Sequence, residues 1–228
     1  MSLRLDLGRV RRVLIVTVAA LVVLTFIAQF LKDAGWLSSV SRFFDSDVKL
    51  NFPSVFKDFA MVVSALGVWA IARVTRDEGD PWAVHWRVLA VVIGLLALDE
   101  MTFAHQSIGE TLSNHFDFTG PLHFAWVVLY LPLALAVFLI LARFWWNLPP
   151  ALRWSFACAG VLFAGGSGGL ELIKGSIASA EGQQTLRFYL AAAASDSLEM
   201  IGLAILLLTV LRELGRRAGQ VTVAIRSS

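Results

Sequence analysis

Runs of about twenty apolar residues recur along the whole chain, and they limit the folds that it can adopt. A helix needs about 20 such residues to cross the roughly 30 Å hydrocarbon core of a membrane. The 228 residues are 57% hydrophobic and 16% charged, whereas a soluble domain carries roughly 25% charged residues. The composition therefore predicts an integral membrane protein, with no soluble domain between its spans.

Six membrane spans are predicted, and all of them are helices. Lipid offers no hydrogen-bond partner to the backbone, and the runs are too long and too uniform for the strands of a barrel. We expect an all-α helical bundle that forms a single integral membrane domain, residues 1–228. The spans are predicted at about 13–31, 55–74, 86–108, 122–142, 154–173 and 189–211.

Basic residues predict how the bundle is oriented. Most of the 19 Lys and Arg residues lie at span ends on the side of the N-terminus, and such an excess marks the cytoplasmic side. Both termini are therefore predicted to be cytoplasmic, and Lys57 is assigned to the outer side. The first span is interpreted as a retained signal anchor. The outer loop at 32–54 is long enough to hold an interfacial helix.

The same distribution bears on location and partners. We expect a plasma-membrane location, with the lipid bilayer as the direct partner. The arginines gather at span ends and form no continuous basic stripe, so a nucleic-acid partner is not expected. A homo-oligomer and a larger membrane complex both remain open.

Ionisable side chains within the predicted spans, five acids and one histidine, form the candidate functional site. A charged group at membrane depth costs about 2.5–3.5 kcal/mol even on lenient scales, so such groups normally face the bundle interior and mark function. The helical rise places the candidates in one layer in the outer half of the membrane. They come from three spans: Asp99, Glu100, His105, Glu171, Asp196 and Glu199.

Helical phase predicts the arrangement of this layer. If the third span is one straight helix, then Asp99, Gln106 and Glu110 fall on a single stripe. In the fifth span, Gly165 and Gly169 are four residues apart, a spacing that lets two helices approach closely. We therefore expect that glycine pair to be the helix contact beside Glu171.

Three stretches carry a resemblance to other proteins: "LDEMTFAHQ" at 98–106, "GGLE" at 168–171 and "DSLEMIG" at 196–202. They resemble a pattern in uncharacterised bacterial multi-pass membrane proteins, where Leu-Asp-Glu is followed by His-Glu and a late helix carries Glu-x-x-Glu-Met-x-Gly. Here Gln106 stands in the place of one glutamate of that pattern, and Asp196 in the place of another. The resemblance implies the inner (plasma) membrane of a bacterium as the location, and it implies no activity.

Three functions are compatible with the polar layer. The first is a site for a divalent cation, Zn, Mn or Fe, that serves metal-dependent catalysis or metal handling. The second is a proton- or cation-coupled transporter that uses the same acids as a relay. The third is a non-catalytic subunit of a larger membrane complex, in which the polar groups only hold helices together.

The first hypothesis assigns roles to the candidate residues. All six would be metal ligands, and four of them would also act in catalysis: Asp99, Glu100, His105 and Glu199. A serine nucleophile would need a hydroxyl within reach of His105. The sequence leaves open whether Ser107, Ser167 or Ser195 supplies it, and it leaves the substrate open as well.

Overall fold

The chain folds into helices throughout the described residues, which in this computed structural model are 6–36, 42–45 and 50–218. No strand occurs in these three ranges. The elements in chain order are α1 (Leu7–Asp33), α2 (Phe52–Asp77), α3 (Ala83–Thr102), α4 (Ala104–Ser113), a short 3-10 helix (Gly120–Leu122), α5 (Trp126–Asn147), α6 (Pro150–Ala164), a π-helical segment (Gly165–Leu170), α7 (Glu171–Glu181) and α8 (Leu186–Ala218).

The predicted all-α bundle is confirmed. Five helical stretches of the described residues are long and apolar enough to cross a membrane: α1, α2, α5, the run Pro150–Glu181 and α8. The pair α3 and α4 makes a sixth span if its two parts are taken together. Most helix ends lie beyond the predicted spans, because hydropathy marks only the apolar part of a helix and misses its polar ends. Helix α5 differs at its start, because it begins at Trp126, four residues after the predicted start of its span.

Helix α8 is central in the bundle and packs against α1, α2 and α6. The main apolar core involves α2, α3 and α8, where Met61, Trp86 and Val210 are completely buried. Helix α5 has only a small buried share, as a lipid-facing helix should. Since lipid is as apolar as leucine, close packing of side chains holds such helices together.

Close contact between the fifth span and α8 depends on Gly166. A Cβ atom at Gly166 would lie 2.7 Å from the backbone oxygen of Ser195, whereas Gly165 and Gly169 have open space around them. The prediction that Gly165 and Gly169 form the contact is therefore wrong. Both lie in the π-helical segment, whose wider turns rotate the residues away from the α-helical phase on which the prediction relied.

Alanine at Gly166 is expected to destabilise the protein by about 1–3 kcal/mol, the usual cost of overpacking. The added methyl group would meet backbone, which cannot rotate away as a side chain can. Thermal unfolding in detergent micelles measures the effect. Gly165→Ala is the matched control because its new methyl group enters open space, and equal melting temperatures for the two variants would contradict the contact.

The third span breaks at Phe103. This residue has φ 55° and ψ 34°, the left-handed conformation, which is uncommon outside glycine. It ends α3 and begins α4, and the two helices bend by 68°. The prediction of one straight third span is therefore wrong, and so is the helical stripe that was built on it.

The outer loop is described only in part. The predicted interfacial helix at 32–54 falls in part on residues 37–41 and 46–49, which lie outside the described residues. In the remainder, Lys32 Nζ lies 2.7 Å from Asp45 Oδ2. Asn51 Nδ2 donates a 2.7 Å hydrogen bond to the backbone oxygen of Asp45. These contacts tie the loop to the ends of α1 and α2.

Candidate functional site

A cavity of about 140 Å³ lies among α2, the α3–α4 bend, α5, the π-helical segment and α8. Its walls carry all six residues of the predicted polar layer: Asp99, Glu100, His105, Glu171, Asp196 and Glu199. The three predicted spans thus bring their acids around one space. Helices α2 and α5 also contribute polar side chains, and the sequence analysis included neither of them.

Lys57 of α2 lies between three of the acids. Its Nζ atom is 2.9 Å from Glu100 Oε1, 2.9 Å from Asp196 Oδ1 and 2.7 Å from Glu199 Oε2. The lysine side chain is only 7% exposed. One buried ammonium therefore faces three carboxylates from α3 and α8. We refer to these four residues as the lysine cluster.

Lys57 was not predicted as a site residue, because it stands only two residues inside the predicted start of the second span at residue 55 and was counted among the basic residues that mark the outer side. A signal for the correct start was present in the sequence. Asn51 is a good N-cap residue, and Pro53 fits the first turn of a helix. In the structure, Asn51 Oδ1 accepts from the backbone N–H of Ser54, and α2 begins at Phe52. Lys57 therefore lies in the second turn of the helix and not at its first residues.

Asp99 holds the bend of the third span together. Its Oδ1 accepts from the backbone N–H of His105 at 2.9 Å and from the Tyr130 hydroxyl at 2.7 Å. Its Oδ2 lies 2.8 Å from His105 Nδ1. In a straight helix, residues six apart would be separated by about 9 Å along the axis. The bend at Phe103 is therefore what makes the Asp99–His105 pair possible.

This pairing fixes the orientation of the His105 ring and leaves its second nitrogen available to a ligand. A neutral imidazole that donates from Nδ1 to a carboxylate keeps a lone pair on Nε2. Among the described residues, Nε2 makes no hydrogen bond, and the ring packs edge-on to Trp126 with 5.1 Å between centroids. A carboxylate-held histidine of this kind is typical of general bases and of metal ligands.

Glu171 already has a basic partner in its own helix. Its Oε1 atom lies 2.6 Å from Lys174 Nζ, and both side chains are mostly buried. The ammonium also lies 5.7 Å from the ring centroid of Phe124 and 5.6 Å from that of Phe188. Its cation–π contacts with these rings stabilise the lysine where water is scarce.

Two of the three candidate serines line the cavity, and Ser107 does not. Ser195 Oγ lies 2.9 Å from the Gly166 carbonyl oxygen and 3.1 Å from Glu199 Oε1. Ser167 Oγ donates to the Phe163 carbonyl. Within the described residues, no serine hydroxyl hydrogen-bonds to His105, so the structure presents no formed serine–histidine pair.

Glu110 lies outside the cavity. The straight-helix stripe had placed it in line with Asp99, but the bend turns α4 away and leaves Glu110 exposed. Gln106, from the same stripe, does line the cavity. Tyr130 was also missed by the sequence analysis, although a tyrosine in an apolar span is itself a signal in a chain that has only two.

No group of three or more His, Cys, Asp or Glu side chains in the described ranges is arranged so that it could hold a metal ion. The contacts above give the reason. Lys57 lies between three of the predicted ligands, Lys174 pairs with Glu171, and Asp99 is bonded to His105 and Tyr130. The predicted binding of Zn, Mn or Fe stays a prediction.

The similarity of this chain to known proteins is at the level of a protein family. Neither the curated proteins nor the solved structures contain a match to it. One family model matches residues 13–214, which is most of the chain and includes every residue of the cavity described above. The chain therefore belongs to the family described as Domain of unknown function (DUF8692).

Proposed function

We propose that the protein is a membrane transporter that couples the movement of a small cation or solute to protons, with the acidic cavity as the exchange site. The observation that carries the proposal is the lysine cluster, in which Lys57 Nζ lies within 2.7–2.9 Å of three carboxylates. One ammonium cannot neutralise three ionised acids. A buried excess of negative charge is costly, so the cluster has to take up protons or a cation.

Lys57 acts in this proposal as a tethered cation. It stabilises Glu100, Asp196 and Glu199 when nothing else is bound, and an incoming proton or cation competes with it for the same oxygens. Glu171, in contrast, has Lys174 as a partner of opposite charge. Exchange is therefore expected at the lysine cluster, with the Asp99–His105 pair next to it on the third span.

Proton flux into proteoliposomes tests the proposal. Purified protein is reconstituted with a pH-sensitive dye inside, and a potassium–valinomycin gradient makes the interior negative. Acidification is measured with protons alone and with external Na⁺ or Mn²⁺ as candidate coupled cations. We expect wild-type flux above that of empty liposomes in at least one arm, and Glu199→Gln should bring it near the empty-liposome rate.

Glu110→Gln is the matched control for this assay. It makes the same change of glutamate to glutamine at an exposed carboxylate of the third span that does not line the cavity, so flux should stay at the wild-type rate. The proposal fails if no arm exceeds empty liposomes. It also fails if Glu110→Gln reduces flux as much as Glu199→Gln does.

The Asp99–His105 pair favours a second candidate, metal-dependent catalysis or metal handling at the same cavity. His105 Nε2 would be one ligand, and carboxylates would join it only after leaving their lysine partners. Elemental analysis of protein purified without chelators tests this. Bound Zn, Mn or Fe that disappears in His105→Ala would support the candidate, and metal-free protein would count against it.

A third candidate remains if both tests fail. The polar cavity would then hold the helices together in a non-catalytic subunit of a larger membrane complex. Interhelical polar contacts in membranes average about 0.6 kcal/mol, which is well below the cost of about 2.5–3.5 kcal/mol for inserting each charged acid. The energetic argument therefore favours a site that binds something over a purely structural one.

We also propose the inner membrane of a bacterium as the location, with both termini cytoplasmic and the cavity in the outer, periplasmic half. The distribution of basic residues supports this orientation. Lys57 lies near the start of α2, whereas Arg73 and Arg76 lie near its other end. The lipid bilayer is the direct partner, and self-association or a larger complex is left to experiment.

A further inference from the structure

A second cavity, of about 470 Å³, lies at the opposite end of α2 from the lysine cluster. Six residues line it: Trp69, Ala72, Arg73, Arg76, Asp77 and Arg87. The helical rise puts Arg76 about 29 Å from Lys57 along the axis of α2. This cavity is therefore separate from the acidic one, and what it binds does not depend on the proposed transport.

The three arginines of this cavity lack the partners that their neighbours have. At the same end of the bundle, Arg216 and Arg217 pair with Glu213, and Arg217 also reaches Glu78 and Asp80. In contrast, Arg73, Arg76 and Arg87 form no ion pair with any of the described residues. Asp77 also faces the cavity, so positive charge exceeds negative there.

The position of the cavity indicates where a ligand would come from. Trp69 lies one helical turn before Arg73 in α2 and is therefore closer to the membrane centre. Its side chain is 44% exposed. Tryptophan at this depth is typical of the level of lipid headgroups. The arginines lie just beyond it, where the phosphate of a lipid would be.

We propose that Arg73, Arg76 and Arg87 form a binding site for the phosphate of an anionic lipid headgroup. Guanidinium groups bind phosphate oxygens through two parallel hydrogen bonds, so Arg suits this ligand better than Lys does. Basic pockets between helices on the cytoplasmic side are known to hold anionic headgroups. The acyl chains would lie along the apolar surface next to Trp69.

Native mass spectrometry of the detergent-solubilised protein tests the site. Binding of phosphatidylglycerol, phosphatidylcholine and inorganic phosphate is titrated separately. We expect tighter binding of phosphatidylglycerol than of phosphatidylcholine. Arg73→Gln and Arg76→Gln should each weaken phosphatidylglycerol binding by about fivefold, the effect of one arginine near an anionic headgroup.

Arg143→Gln is the matched control, because Arg143 is also an exposed arginine near the predicted cytoplasmic end of its span but does not line the cavity. It should leave phosphatidylglycerol binding unchanged. Equal weakening by Arg143→Gln would overturn the proposal, since surface charge alone would then explain binding. Equal affinity for the two lipids would overturn it too. If inorganic phosphate binds to the wild-type protein and no longer binds to Arg73→Gln and Arg76→Gln, the assignment to a lipid is overturned.

Discussion

Replacing Lys57 with methionine is expected to destabilise the protein by about 3–5 kcal/mol, the usual cost of removing one partner from a buried ion pair. The reason is that Glu100, Asp196 and Glu199 would lose their shared ammonium while they remain buried. Methionine has a similar volume, so packing is largely preserved. Thermal unfolding in detergent micelles measures the loss, with size-exclusion chromatography as the check on folding.

Neutralising the acids should rescue this variant. We expect Lys57→Met combined with Glu100→Gln and Glu199→Gln to recover much of the lost stability, because fewer charges then lack a partner. Lys32→Met is a useful comparison, since Lys32 pairs with Asp45 at the bundle surface and its side chain is more exposed than that of Lys57. If Lys57→Met is no less stable than Lys32→Met, then the lysine cluster does not stabilise the bundle in the way described.

Replacing Asp99 with alanine is expected to straighten the third span and to cost about 2–3 kcal/mol. Hydrogen bonds to a charged group contribute about 1.5–3 kcal/mol, and Asp99 accepts from His105 and from Tyr130. Without the carboxylate, the hydrogen bonds that join the two sides of the bend are lost, and a right-handed helical conformation at Phe103 relieves the backbone strain. The cavity would then lose the wall that carries His105.

Distances between spin labels at positions 84 and 113 report the bend. Val84 and Ser113 are exposed, and Cys158→Ser removes the only native cysteine. The 68° bend places these positions about 37 Å apart, and a straight helix would place them about 44 Å apart. Asp99→Ala should lengthen the distance, whereas Asp99→Asn keeps one acceptor oxygen and should lengthen it less. An unchanged distance in Asp99→Ala would show that other contacts maintain the bend.

The fold class could be predicted from the sequence because lipid leaves few choices to an apolar chain. Twenty-residue apolar runs in this environment become helices, and those runs are visible without coordinates. Helix ends were harder to predict. Capping residues such as Asn51 begin α2 ahead of the apolar run, so a prediction from hydropathy alone starts the helix three residues too late and places Lys57 at its extreme end, where a lysine is interpreted as a marker of orientation.

The members of the acidic layer could also be predicted, because charge at membrane depth is unusual wherever it occurs. Their partners could not. Glu199 and Lys57 are 142 residues apart in the chain, and no local pattern relates α2 to α8. Likewise, Tyr130 reaches Asp99 only because α5 packs beside the bend.

Sequence alone determined that this chain is a helical membrane bundle and that acids from three spans lie at a common depth. Only the tertiary structure decided that Glu100, Asp196 and Glu199 share Lys57 and that Asp99 pairs with His105 and Tyr130. Periodicity assumes regular helices, and this chain departs from them at Phe103 and in the π-helical segment that contains Gly166. Each irregularity rotates the residues that follow it. The pairing of Asp99 with His105 and the contact of Gly166 with Ser195 therefore depend on geometry that regular periodicity does not contain.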